Sequence, residues 1–187
     1  IAWFDGALEF PEMYKKKAKF KAQKNTTVHA LNEAGRSIFK CKSDFFEENE
    51  PMTFLTNSYG KDKLITNGLF AEFCRVVPNS EIKEINEEIA NLARKAQVKL
   101  CEVLMEVIVD DEIKIVKKRI WISSYRIMEH TMHQDDYLNT PLGRKLNSSF
   151  NILEKALKSC IDKSWFDDDR VHIATFAYAI TIHKAQG

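Results

Sequence analysis

The sequence predicts an α/β chain in which a small antiparallel barrel or curled sheet carries added helices. Three observations predict it. Apolar residues recur at helical spacing over 25–39, 80–97 and 150–161. Residues 100–109 and 113–122 alternate instead with the period of two that a half-buried strand sustains. Most of the strand-like runs are joined with no helix needed between them. At 187 residues the chain has room for one domain, or for one domain with a small insert.

Composition narrows the class. With 44% hydrophobic and 29% charged residues the chain has the balance of a globular protein rather than a disordered one. A net charge of +1 argues against binding nucleic acid through bulk positive potential and leaves a locally basic groove open. No apolar run approaches membrane-spanning length and no signal-peptide pattern is present, which predicts no membrane partner and a cytoplasmic, intracellular setting. Cys41, Cys74, Cys101 and Cys160 are widely separated with no CxxC pair, so reduced thiols are expected, neither disulfides nor zinc ligands. Ile1 in place of Met, and a final Gly187 inside a motif, read as two cut ends of a longer chain.

The elements follow in order. Val28, Leu31 and Ile38 mark the inward face of a helix over 25–39, with Asn25 or Thr26 as its cap. The acidic stretch 45–50 before Pro51 reads as a loop or boundary. Residues 52–56 form a strand, Asn67-Gly68 a turn, and 69–77 a second strand stopped by Pro78. Asn79 or Ser80 caps a helix with Ile82, Ile85, Ile89 and Leu92 inward. Cys101, Val103, Met105, Val107 and Val109 share one face of the next strand, Asp110 to Glu112 turn, and 113–122 return. Polar residues with Pro141 and Gly143 predict a loop over 130–148, before a helix with Phe150, Leu153, Leu157 and Ile161 inward. Asp167 to Asp169 make a solvated turn, and 171–176 form a buried strand leading to the C-terminal residues.

Several constellations have a sharp and a plain reading. His130 and His133 could share a helix face as metal ligands, but no Cys or carboxylate stands at a matching spacing, so a surface pair is expected. Trp121 with Tyr125 could stack bases, while core packing is the default for Trp121 in an apolar strand. Lys117, Lys118 and Arg119 could track a phosphate backbone or guard an edge strand. Lys15 to Lys19 read as a solvated face. Asp110-Asp111 and Asp167 to Asp169 sit in turn-like contexts rather than in a magnesium motif, and no GxxxxGK[ST] phosphate loop occurs.

The last residues, Tyr178-Ala-Ile-Thr181-Ile-His183-Lys184-Ala-Gln186-Gly187, read by themselves as a short helix after a strand. Tyr178, Ile182 and Ala185 would face inward, leaving a hydroxyl, an imidazole, an ammonium and an amide as a phosphate-contacting surface or simply a solvated one. This segment resembles the motif of RecD/Dda-type superfamily-one DNA helicases, Tyr-Ala-(Ile/Leu)-Thr-(Val/Ile/Phe)-His-Lys-(Ser/Ala)-Gln-Gly, at nearly every position. Two weaker resemblances precede it in the family's order. Lys24-Asn25-Thr-Thr-Val28-His-Ala-Leu31-Asn32-Glu33 is similar to the segment that opens the family's second RecA-like domain, with Lys24 where Thr or Arg is usual. Pro51-Met52 to Asn57, followed by Asn67-Gly68, is similar to the start of the SH3-like barrel inserted in that domain, with Asn49-Glu50 in place of the usual Gly-Asp.

The resemblance implies an incomplete RecA-like domain with an inserted small antiparallel SH3-like barrel. Residues 1–50 would begin the RecA-like domain, 51–170 would form the barrel with helical additions, and 171–187 would return to the first body. The helix at 80–97 and the segment 128–165 have no counterpart in the family's compact barrel and read as insertions, or as a barrel rebuilt for another purpose. Thr181 and His183 are implied to contact single-stranded DNA, with Lys184, Lys24 and Asn25 beside them. Gln186 and Gly187 would couple nucleotide state to DNA grip. The implied parent is a 5′-to-3′ helicase of DNA repair or recombination, with single-stranded DNA and its own first RecA-like domain as partners. ATP and Mg2+ would serve that parent. No catalytic residue or metal ligand is assigned in this chain, none of these cofactors is expected bound to it, and it should not hydrolyse ATP alone. The alternative is a non-motor module that binds nucleic acid or protein through the barrel.

Overall fold

A computed structural model of the chain describes residues 20–22, 25–57, 65–109, 112–123 and 141–181. Two sheets contain all the described strands: a six-stranded sheet that nearly closes into a barrel, and a separate parallel pair. The parallel pair joins β1 (Phe20–Ala22) to β8 (Ala179–Thr181). Between them the chain forms α1 (Asn25–Ile38) and then the whole barrel. The barrel is thus inserted in what would otherwise be a short strand–helix–strand crossover.

The barrel is built on the hairpin that the period of two predicted. β4 (Val98–Val109) pairs antiparallel with β5 (Glu112–Ser123) along their full length. β3 (Phe70–Val76) adds to β4 with a bulge between Phe73 and Arg75, and β2 (Pro51–Phe54) adds to β3. The Asn67-Gly68 turn before β3 is present, and Gly68 takes φ +94°, a conformation that costs glycine little. Closure comes from residues 171–176. They form β6 (Val171–His172) and β7 (Ala174–Phe176), interrupted at Ile173 rather than one continuous strand. β6 pairs parallel with β5 while β7 pairs antiparallel with β2, so one segment bridges the first and last strands of the curl. At the break Leu55 N donates to Ile173 O at 2.8 Å. The Thr56 hydroxyl bonds His172 Nδ1 at 3.0 Å and accepts from Ile173 N at 3.2 Å. The sheet is therefore mixed, not purely antiparallel as expected, because the return from the last helix enters beside β5 in the same direction.

Alternation along β4 divides two cores. Cys101, Val103 and Met105 point into the barrel, where they meet Phe54, Phe73 and Phe176. Leu100 and its cross-strand partner Trp121 point outward. There they are covered by α2 (Asn79–Ile85), α3 (Glu87–Ala96) and α4 (Pro141–Ser159), through Ile82, Ile89, Ala93, Phe150, Leu153 and Leu157. The inserted helices thus seal an apolar outer face of the barrel that would otherwise meet water.

The helices depart from expectation in several places. The helix expected over 80–97 is two helices, split at Asn86, whose Oδ1 accepts from Ile89 N at 3.1 Å to cap α3. Ile85, expected inward, is 46% exposed because that break turns the last residue of α2 outward. Asn79 and Ser80 do not cap α2; the cap position is Pro78, with no side-chain bond. Residues 141–148, expected as loop, belong to α4, since Pro at the start of a helix needs no N–H partner there. Residues 130–140, with His130 and His133, lie outside the described residues, as do Tyr125 and Lys15 to Lys19. Ile161, expected inward, is fully exposed because α4 ends at Ser159. Residues 179–181, expected as the start of a helix, are the strand β8.

Candidate nucleic-acid interface

β1 and β8 run in the same direction with Ala22 opposite Thr181, so both strands end at one edge of the pair. α1 begins at Asn25, just beyond that edge, and packs along both strands. Thr181 and Asn25, singled out separately in the sequence, therefore come to the same end of this small unit. Free amides at a helix N-terminus beside the C-terminal ends of parallel strands favour an anionic ligand. Asn25 and Thr26, the two expected caps, both lie within the helix. Lys24, His183, Lys184, Gln186 and Gly187 lie outside the described residues.

What holds this end in place is a polar face of α1 that the apolar periodicity did not reveal. Val28 and Leu31 are only partly buried and Ile38 is 43% exposed, whereas Asn32, Gly35 and Arg36 are buried. Asn32 Nδ2 donates to Phe176 O at 2.9 Å and its Oδ1 accepts from Ala179 N at 2.7 Å. Gly35 lies directly under Tyr178; a Cβ there would sit 2.8 Å from Tyr178 Cβ and Cγ. Arg36 Nε donates to Glu50 Oε1 at 2.7 Å, and Nη2 donates to the carbonyls of Ser43 at 2.8 Å and Phe45 at 3.0 Å. Its guanidinium also stands 4.0 Å from the centre of the Phe176 ring.

Glu50 completes the cluster by accepting from Glu47 N at 2.8 Å. Burial raises its carboxyl above the ordinary carboxylate range, opposed by the Glu47 amide and the Arg36 guanidinium. Tyr178 stacks on Phe39 with ring centres 5.4 Å apart, and its hydroxyl lies 3.7 Å from Cys41 Sγ. Burial and the nearby Glu50 push the phenol upward, so it stays neutral. The spacing i, i+3, i+4 of Asn32, Gly35 and Arg36 was the available signal, but the partners lie far along the chain, at Glu50 and Phe176–Ala179.

The competing surface on the barrel is internally paired. Glu102, its side chain 7% exposed, takes a bidentate pair from Arg75 at 2.8 and 2.9 Å and also contacts Arg119 at 2.9 Å and Lys117 at 3.3 Å. The Arg75 pair, then Arg119 and Lys117, hold its carboxyl down at about 2. Lys118 donates to Asp167 at 2.8 Å. The turn expected at 167–169 is present with Asp167 exposed, and its carboxylates are also bonded. Asp167 also accepts from Arg119 N at 2.7 Å, Asp168 bonds His172 at 3.0 Å, and Asp169 contacts Lys163 at 3.3 Å. Trp121 is buried edge-on against Trp165, which removes it as a base-stacking platform. The four cysteines are free thiols. Among the described residues no group of three or more His, Cys, Asp or Glu could hold a metal ion, and no helix is long and apolar enough to cross a membrane.

Comparison of the chain with protein-family models, with curated proteins and with solved structures finds no match in any of the three.

Proposed function

We propose that this chain is part of the motor core of a RecD/Dda-type DNA helicase, comprising a portion of its second RecA-like domain and an enlarged SH3-like barrel inserted there. The observation that carries the reading is the ten-residue agreement over 178–187. Support comes from its setting: Thr181 ends a strand paired in parallel with β1, α1 starts at the same edge, and the barrel lies in the crossover between them. RecA-like domains are parallel α/β bodies whose ligands gather at such strand ends.

On this reading Thr181, His183 and Lys184 grip the backbone of single-stranded DNA, Lys24 and Asn25 flank them, and Gln186 and Gly187 face the parent's nucleotide cleft. The chain's own residues do not fit Mg2+–ATP. It has no GxxxxGK[ST] loop, and Asp167, Asp168 and Asp169 are bonded to Lys118, His172 and Lys163. Phosphate binding belongs to the first RecA-like domain of the parent, and this chain supplies the opposite wall. The paired state of Lys117, Lys118 and Arg119 weakens the case for the barrel as the main DNA site.

Affinity for a fluorescent oligo-dT strand, measured against salt, tests the proposal. The double variant Thr181→Ala, His183→Ala should bind more weakly at every salt concentration, because it removes hydrogen bonds to the phosphate backbone. Unchanged binding by that variant, together with loss of binding on substituting Lys117, Lys118 and Arg119 by Ala, would overturn it.

A further inference from the structure

Residues 174–181 belong to two sheets in succession. Through Phe176 the segment pairs with β2 of the barrel, and Ala177 N still donates to Pro51 O at 2.9 Å. From Ala179 it pairs with β1. The changeover between sheets is spanned by one buried side chain, Asn32, which donates to Phe176 O at 2.9 Å and accepts from Ala179 N at 2.7 Å. A carboxamide offers donor and acceptor in one plane, so it can stand in for the peptide group of a neighbouring strand. Gly35 against Tyr178 and Arg36 against Phe176 hold the same four residues from the next turn of α1. The point at which β8 begins, and hence where Thr181 is presented, is set by these contacts.

We infer that Asn32 is a positioning residue for the DNA-gripping segment: it touches no DNA and fixes the register of β8, linking the barrel's closing strand to the motif. The inference rests on the reading that Thr181 and His183 contact single-stranded DNA. A buried Asn could also be merely a satisfied core group, and the two roles differ in what an acid at this position does. In Asn32→Asp the ionised carboxylate still accepts from Ala179 N but turns a second acceptor toward Phe176 O. The protonated carboxyl supplies an O–H donor and restores both bonds. The charged and titratable groups around this position are Arg36 on α1, Glu50 before β2, Cys41 after α1, and Tyr178. All of these, and His183, are common to variant and wild type, so the quantity read is the affinity ratio of variant to wild type at each pH.

Single-stranded oligo-dT binding by the whole chain is measured from about pH 8 to about pH 5, the range across which a carboxyl in an apolar site gains its proton. Near-ultraviolet circular dichroism verifies folding at each point. The expected result is binding roughly tenfold weaker than wild type at the upper end, recovering to within about threefold at the lower. Wild-type affinity throughout, or the same deficit at both ends, overturns the inference. Should Asn32→Asp not fold, Asn32→Ser is measured instead; it lacks the reach to bridge both groups and is expected to weaken binding about tenfold while folded. Unchanged binding by that variant overturns the inference equally. If Thr181→Ala, His183→Ala weakens binding while the Asn32 variants do not, this inference alone falls. If the double variant binds as wild type does, the DNA reading itself falls.

Discussion

At the scale of single residues, the energetics concentrate in two carboxylates with opposite histories. Glu50 and Arg36 are 1% and 4% exposed at the side chain, so both charges are stripped of water and depend on each other and on fixed backbone partners. Glu50→Ala leaves Arg36 buried without its counter-charge and is expected to cost about 3–5 kcal/mol in urea denaturation. Glu102 is stabilised as an anion by Arg75, Arg119 and Lys117. Because its folded value lies near 2 and the ordinary value is 4.5, its contribution is present above pH 4.5 and disappears as pH falls towards 2. Glu50 has the opposite sign: with its folded value raised above the ordinary 4.5, the folded state binds the proton more readily, and stability is given up as pH rises past 4.5. Replacing Glu102 with Gln should therefore flatten the acid limb of a stability-versus-pH curve. An acid limb as steep as wild type would show that Glu102 does not set it. Screening of the half-exposed Arg75 and Lys117 keeps the size of this effect modest.

At the scale of elements, local signals and distant partners divide what could be read in advance. The β4–β5 hairpin was legible because alternation is a local property, and the Asn67-Gly68 turn because only a few residues tolerate its backbone. Helix ends were less legible. Pro141 and Gly143 looked like loop punctuation, yet Pro141 opens a helix of 19 residues, and Asn86 looked like one more polar residue of a single helix. Asn86 instead caps α3, whose other end turns through Gln97 in a left-handed conformation, φ 57°. Asn86→Ala should cost about 1 kcal/mol of stability, read as a lower denaturation midpoint with an unchanged slope. No change would mean that packing of α3 on α4 alone holds the break. β6 and β7 are too short to carry a pattern, and their pairing with β5 and β2 is a property of the closed sheet.

At the scale of the whole molecule, the chain is a barrel wired into a strand–helix–strand unit by one buried face of α1. The candidate site was proposed from residue types, Thr181 from the contiguous motif at 178–187 and Asn25 from the separate segment at 24–33. Its support was not legible, since Asn32 acquires its partners only when Phe176 and Ala179, more than a hundred positions away, fold back upon α1, and Arg36 pairs with Glu50 across the loop after the helix. The helical additions also gain a physical role, as a cover for Leu100 and Trp121 on the outside of the barrel. The helicase reading puts single-stranded DNA along the end of β8 and the residues after it. Photo-crosslinking of an iododeoxyuridine-substituted strand to the chain, followed by peptide mapping, locates that strand. Adducts should concentrate in the C-terminal peptide from Ala179 to Gly187. Adducts confined to β3, β4 and β5, with none in that peptide, would refute the placement.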